Sequence, residues 1–379
     1  MDKKNNMKIM GEVKMAEIPN PIQSTRKASG YEFVSYGKDN LFPQYLYEVY
    51  RNSSSKHSAL INRKSGMVGG YGINEEDLSD EQMKFIKNKF SNLSLDDIVR
   101  MVSYDLEVLY HYYLEIIYTN DKNSIASINY IPASKIRLGV INETNPRRHF
   151  LYSKDWTNIK KEDNRPVYYE PFSAGMAGNN KELLFVPLYQ GYNEFYPTVG
   201  YQAALEYIEI DRQIAVYHNS ELTNGFSGGY MVNFTNGIPT EDEMREFDRD
   251  FKKNNTGSMN AGKVVITYSE DKDTAPILTP LPSNDSADRF KALEENVLQN
   301  ILIAHEVVNP ELFGIAIPGK LGSSNIHESL DIFQSVYVDQ RQKLIQDSLD
   351  TLFEYVSKEK DFVKFKLNKF KINTDTHEK

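Results

Sequence analysis

The chain contains no cysteine, one tryptophan and only seven histidines among its 379 residues. Without cysteine it can build no disulfide, thiolate zinc site, iron–sulfur cluster or cysteine nucleophile. No stretch approaches the roughly 18 consecutive apolar residues of a membrane-spanning helix. The N-terminal MDKKNNMKIMGEVKMAEIPNP has no apolar segment long enough for a secretory leader. No membrane partner is expected. Basic charge is also in short supply: 44 Lys and Arg face 53 Asp and Glu, a net −9. That balance is the reverse of a basic nucleic-acid clamp. No repeat of about 20–50 residues marks a solenoid or propeller. What is present is ample core material, 40% hydrophobic, and length enough for two or three folding units of roughly 150 residues.

Residues 1–30 read as an arm, with Pro19, Pro21, five lysines and little periodicity. A helix is expected after Ser55 as N-cap, with Leu60, Ile61, Met67 and Val68 at helical spacing, and Gly69-Gly70-Tyr71-Gly72 halting it. Helices follow over 78–90 and 95–109, the second with Asp96 and Asp97 in the first turn, where the helix dipole favours acid. Aromatic and β-branched runs begin at HYYLEIIYT and continue over 128–131, 135–141, 150–152 and 182–188. Residues 31–195 therefore read as one α+β domain.

At Pro197 the pattern changes. A long helix is expected over 198–223, stopped by Asn224-Gly225. Ala203, Tyr207, Ile210, Ile214 and Tyr217 form one apolar row; Ala204, Ile208, Ala215 and Leu222 form a second. Such a helix needs partners on two sides. Either the core of one chain supplies them, or copies of the same helix in an oligomer do. A small unit comes next: a strand over 229–234, a polar helix over 239–253 opened by Thr240 and Glu243 as a capping box, and a strand over 263–268. A second long helix over 286–305 carries the stripe Phe290, Leu293, Val297, Ile301 and Ala304, and Asn309-Pro310 breaks it. A loop with Gly314, Gly319 and Gly322 leads through Ser323-Ser324-Asn325 into a third long helix over 326–356. The tail VKFKLNKFKI alternates like a strand with lysines on its solvent side.

Two motifs suggest catalysis and neither has its context. Gly225-Phe226-Ser227-Gly228-Gly229 matches the G-x-S-x-G elbow of hydrolases, but a helix precedes the serine and a strand follows, the opposite of the elbow. Residues 257–264 fall one short of a P-loop: Val264 stands where a magnesium-binding Ser or Thr belongs, and VVITY reads as a strand where a helix must start. A serine hydrolase at Ser227 and a nucleotide-binding enzyme with a degenerate P-loop at 257–264 stand as the alternatives. The histidines show no metal spacing, and no acidic pair singles itself out as acid and base. No enzyme activity, no cofactor and no metal site is expected.

The order of these segments resembles the portal proteins of tailed bacteriophages, in particular the HK97-like family, over residues 31–360. The local matches are the helix TVGYQAALEYIEIDRQIAVYHNSELTNGFSGGYMVNF running into Asn-Gly and a strand, Ile238-Pro239-Thr240-Glu241-Asp242-Glu243, Asn260-Ala261-Gly262-Lys263-Val264-Val265, ILIAHEVVNPELFGI, and Gly322-Ser323-Ser324-Asn325 leading into a long helix. Each is weak alone; their shared order carries the resemblance.

The resemblance implies an α+β portal-protein fold. Residues 1–30 would be the N-terminal arm, 31–195 the wing, 196–227 the first stem helix, 228–282 the clip, 283–308 the second stem helix and 309–325 the tunnel loop. Residues 326–360 would be the long helix on the wing and crown side, and 361–379 a strand and tail, with the crown reduced or absent. It implies a dodecameric ring of this chain at a capsid vertex of the virion, assembled in the cytoplasm of the infected bacterium. Through it double-stranded DNA would be packaged and ejected without sequence specificity. The implied partners are the terminase motor, the major capsid protein and scaffold, and a head–tail adaptor. Ala203, Tyr207, Ile210, Ile214 and Tyr217 are then candidates for the ring interface. A conduit must not hold its cargo, because each neutralised phosphate adds counterion-release affinity, whereas an acidic wall keeps a duplex centred. Glu206, Glu209, Asp211, Asp285, Asp288, Glu294 and Glu295 are candidates for that wall. Lys320, Ser323, Ser324 and Asn325 are the candidates for DNA contact from the tunnel loop, which its glycines would let move.

Overall fold

The structure, a computed structural model, describes residues 18–19, 21–90, 93–121, 124–143, 148–173, 180–189, 195–224, 230–234, 239–240, 242–243, 245, 264–268, 286–315, 326–358 and 362–371. The chain is mixed helix and sheet. It divides into two units: residues 1–206 with 300–379, and residues 207–299.

In the first unit, serines open three of the first four helices. Helix α1 is Phe42–Asn52, α2 Ser55–Gly69, α3 Asp80–Lys87 and α4 Leu95–Leu109. The side chains of Ser54, Ser79 and Ser94 each accept from an amide in the first turn, satisfying a donor that the helix leaves free. Ser79 with Gln82 and Ser94 with Asp97 complete capping boxes. The cap of α2 is therefore Ser54 rather than Ser55, and α3 starts at Asp80 rather than at residue 78. Helix α4 turns directly into strand β3 through Tyr110, held at φ +60.

The strands are β1 Gln23–Ala28, β2 Tyr31–Tyr36, β3 His111–Tyr118, β4 Ile125–Ile131, β5 Ile136–Leu138, β6 Phe150–Tyr152, β7 Val167–Pro171 and β8 Lys181–Pro187. Six form one sheet in the order β4-β3-β8-β7-β6-β5, antiparallel except for the β7–β8 pair. Strand β3 is buried along nearly its whole length, as its apolar, aromatic run predicts. Strand β7, which alternation did not reveal, carries exposed Val167 and Tyr168 beside half-buried Tyr169. Strands β1 and β2 form a hairpin turned by Ser29 and Gly30, both at positive φ. Phe33 of this hairpin bridges to Gly139. The ordered domain thus begins before Tyr31, inside the range read as an arm.

A saturated buried cation fixes the start of this core. Arg137 donates to the Asn40 side chain at 2.7 Å, the Asn40 carbonyl at 2.6 Å and the Ile136 carbonyl at 2.7 Å, and lies 4.9 Å over Trp156. Burial pulls its pKa down to about 10. With every direction filled, it is a structural residue.

The third long helix is present as α7, Ile326–Phe333, a π-turn over Gln334–Val338, and α8, Asp339–Ser357. The chain then returns as an extended strap. Val363, Phe365 and Leu367 are buried while Lys364, Lys366 and Lys369 face outward, which is the alternation read from the tail. Its only ladder contact among the described residues is the bridge from Leu367 to Ile73.

In the second unit, β9 Tyr230–Phe234 and β10 Val264–Tyr268 pair in parallel. A parallel pair needs a crossover. Within that crossover Asp242, Glu243 and Arg245 are helical, and the Glu243 carboxylate accepts from the Thr240 amide at 2.9 Å. The long helices are α5, Leu205–Asn224, and α6, Ser286–Ala304. Helix α5 starts at Leu205 rather than at residue 198, because Gly200–Ala204 forms a 3-10 turn tied into the core of the first unit.

Candidate functional site

Helices α5 and α6 have their roots in the first unit, where both are locked into one buried cluster. The Tyr201 hydroxyl donates to the Val108 carbonyl at 2.6 Å. A Cβ on Gly200 would lie 2.6 Å from the Tyr110 hydroxyl oxygen. Past the end of α6, the His305 ring stacks on Tyr201 with centroids 5.2 Å apart. His305 Nε2 lies 2.9 Å from His57 Nδ1, and Glu306 takes a left-handed φ of +56 that ends the helix.

Beneath this aromatic stack lies an ion network with no access to solvent. Glu107 pairs with Lys64 at 3.5 Å and with Arg341 at 3.0 Å, and accepts the Tyr337 hydroxyl at 2.6 Å. The Lys64 ammonium also donates to the His305 carbonyl at 3.3 Å. The Arg341 guanidinium stacks 3.4 Å over the Tyr337 ring. Burial depresses the Lys64 pKa to about 8, with Glu107 opposing the shift. For Arg341, burial acts downward, but Glu107 and its other partners outweigh it and the net shift is up. Burial pushes His57 down to about 3 and His305 well below its ordinary value, so both rings are neutral at pH 7. The network joins α2, α4, the π-turn and the root of α6. Sequence patterning missed it, although one signal was available: Lys64 falls in the same helical row as Leu60, Ile61 and Val68.

The candidate wall residues separate. Glu206 and Glu295 are exposed, and Glu294 is half-exposed. Glu294 lies 3.5 Å from His218 Nε2, an ion pair whenever that ring is protonated, and this contact sets α5 beside α6 within the second unit. Glu209 and Asp211 are each only 8% exposed. Glu209 holds Arg212 through both oxygens, at 2.6 and 2.9 Å, and accepts from Gln213. The Arg212 guanidinium lowers its pKa. Asp285, the Asp288 side chain, Lys320, Ser323, Ser324 and Asn325 lie outside the described residues.

The candidate interface row separates in the same way. Ile214 is buried, Tyr207 and Ile210 are half-buried, and Ala203 and Tyr217 are exposed. Val216 on α5 and Leu293 on α6, 48% and 39% exposed, also lie on the surface. Ser227 lies outside the described residues. The residues that follow Lys263 form β10, a strand where a phosphate-binding loop requires a helix. Among the described residues, no group of three His, Asp or Glu could hold a metal, and no helix is long and apolar enough to cross a membrane.

Charge is unevenly shared. Residues 207–299 hold 16 acidic and nine basic side chains, a net −7 of the chain's −9. The larger unit is left with −2.

No family model matches the chain, and no curated protein matches it. Solved structures do share its fold. A chain in the virion of a native gene transfer agent (GTA) particle superposes with a TM-score of 0.56 at 11% identity, over 86% of this chain and 83% of its own. A chain in the neck of an empty GTA particle, computed with C6 symmetry, gives 0.56 at 12% identity over 88% and 84%. A chain in the neck of a native GTA particle, computed with C12 symmetry, gives 0.55 at 11% identity over 89% and 85%.

Proposed function

We infer that this chain is a portal subunit: a ring-forming structural protein of a phage-like head–tail neck. The observation that carries the reading is the fold shared over more than four-fifths of both chains with components of GTA virions and necks, one of them computed with C12 symmetry. Residues 31–195 act as wing, 196–227 and 283–308 as stem, 228–282 as clip and 309–325 as tunnel loop. Twelve copies close a ring at the capsid vertex of an HK97-like particle, and double-stranded DNA passes through it. The side-by-side placement of α5 and α6, joined at His218 and Glu294, suits a stem. The concentration of negative charge in residues 207–299 suits a wall from which a duplex slides free. Exposed Glu295 and half-exposed Glu294 contribute to that charge, and exposed Glu206 adds to it at the root of α5. The terminase motor, head–tail adaptor, capsid protein and scaffold are the partners. The chain itself catalyses nothing.

Native mass measurement and negative-stain imaging of the purified protein test this reading. The expected result is a closed ring of about twelve chains without nucleotide hydrolysis, as heterologous contacts with rotational closure require. A monomer that hydrolyses ATP and loses the activity in Lys263→Ala would replace it with a nucleotide-binding enzyme. Labelling of Ser227 by a serine-directed phosphonate would replace it with a hydrolase.

A further inference from the structure

The first unit carries an apolar knob and a socket of matching chemistry. The knob is Ile332 and Val336, four residues apart on the outer face of the helix that begins at Ile326, and 43% and 59% exposed. Residues at that spacing share one face. Phe333 and Tyr337, next to them in sequence, are fully buried on the opposite side. Glu328 and Asp331 flank the knob and are exposed. Neither makes an ion pair among the described residues.

The socket is a cleft of about 400 Å3 over the outer face of α2, lined by Ala59, Asn62, Arg63, Gly66, Tyr71 and Phe313. Tyr71 is 62% exposed and stacks on Phe370, with centroids 5.8 Å apart, to make an aromatic wall. The floor is made of small residues. A Cβ built on Gly66 meets nothing within 4 Å. Arg63 stands exposed at the cleft and has no carboxylate partner among the described residues.

We propose that the Ile332–Val336 knob of one copy seats in the α2 cleft of a second copy, with Arg63 pairing against Glu328 and Asp331. The proposal rests on the ring reading given above and names a contact within it. Single exposed aliphatics are common on any surface. Here two of them share a face bordered by unpaired carboxylates, and the cleft that would receive them is apolar, roomy and bordered by an unpaired guanidinium. The charge complementarity of Arg63 with Glu328 and Asp331, beside apolar surface on both sides, selects a copy of this chain over an unrelated occupant. The two patches adjoin, since the cleft wall Phe313 packs edge-to-face on Phe333 with centroids 5.3 Å apart, but they share no residue, so the contact is heterologous, the kind a ring uses.

The absence of cysteine makes the test direct. The full-length chain carrying both Gly66→Cys and Val336→Cys is assembled, oxidised, and run on a denaturing gel without reductant, beside each single variant. Native mass is measured on the same samples. Both sites are exposed, and Gly66 has room for a side chain. The expected result is a ladder of covalent multimers from the double variant alone. A ring by native mass with no ladder overturns this contact and leaves the ring reading standing. A faster-migrating monomer also overturns it, because residues 66 and 336 would then meet within one chain. Absence of any multimer by mass removes both.

A second arm uses charge. Arg63→Glu is expected to raise the concentration at which multimers form about tenfold, the size of a lost contact of about 1.4 kcal/mol. Asp331→Arg in the same chain is expected to restore assembly. A double reversal no better than Arg63→Glu alone overturns the pairing.

Discussion

The imidazoles of His57 and His305, 248 residues apart in the chain, meet at 2.9 Å with neither ring exposed. Burial depresses both pKa values, His57 to about 3. The unfolded chain binds a proton at each ring near pH 6.5, and the folded chain does not. Stability is therefore fully present above that pH and declines as pH falls from about 6.5 toward about 3, by about 1.4 kcal/mol per pH unit for each ring. Asn in place of His57 can still hydrogen-bond but cannot titrate. Urea midpoints taken between about pH 7 and pH 4.5 should fall less steeply in His57→Asn by about that slope. Equal slopes would mean that the pair is not buried as neutral rings.

Glu107 is the only anion buried between Lys64 and Arg341 among the described residues. Replacing it with Gln leaves two cations in the interior without a counter-charge. Removing one partner of a buried ion pair costs about 3–5 kcal/mol. Lys64→Met added to Glu107→Gln should recover part of that loss, because one uncompensated charge goes with it. Chemical denaturation of the single and double variants decides this. A loss below about 1 kcal/mol in Glu107→Gln would show that water reaches the network.

Gly70 closes α2 at φ +57, and a Cβ there would overlap the Asn368 carbonyl oxygen of the strap. Both backbone conformation and space therefore select glycine. Gly70→Ala should cost about 1–3 kcal/mol for a backbone region that essentially only glycine enters, plus about 1–3 kcal/mol for the displaced strap. Proteolysis after residue 361 should speed up in the variant as the strap lifts. A thermal midpoint equal to that of the parent would show that the strap does not bear on α2.

What was legible in the sequence was local. The acid signal at Asp96 and Asp97, the apolar run of β3 and the lysine alternation after Val363 each appear in the structure where they were read. Errors came where tertiary contacts override local pattern. Gly200 and Tyr201 continue a helical pattern on paper, yet their packing against Tyr110 and Val108 tightens them into a 3-10 turn. Strand β1 is mostly exposed and polar, and it is held by pairing with β2 and by the Gln23 side chain, which bonds the Tyr196 backbone at 2.8 and 2.9 Å. The buried network stayed hidden because Lys64, Glu107 and Arg341 come from three distant segments. Each looks like an ordinary surface charge until the helices are brought together.

The acid-wall reading separates exposed acids from buried ones. Glu206 and Glu295 are exposed, whereas Glu209 is committed to Arg212 and Gln213. Lysine at an exposed wall position would give passing phosphates a cation, and retention should rise with a salt dependence. On duplex DNA the logarithm of affinity falls with the logarithm of salt at a slope of about 0.9 per neutralised phosphate. Assembled Glu206→Lys and Glu295→Lys proteins should therefore hold DNA at low salt, where the parent lets it go, and release it steeply as salt rises. Glu209→Gln should leave DNA retention unchanged and lower stability through the freed Arg212. If the two lysine variants bind no more DNA than the parent while their rings remain intact, those acids do not face the duplex, and the negative charge of residues 207–299 serves a protein partner instead.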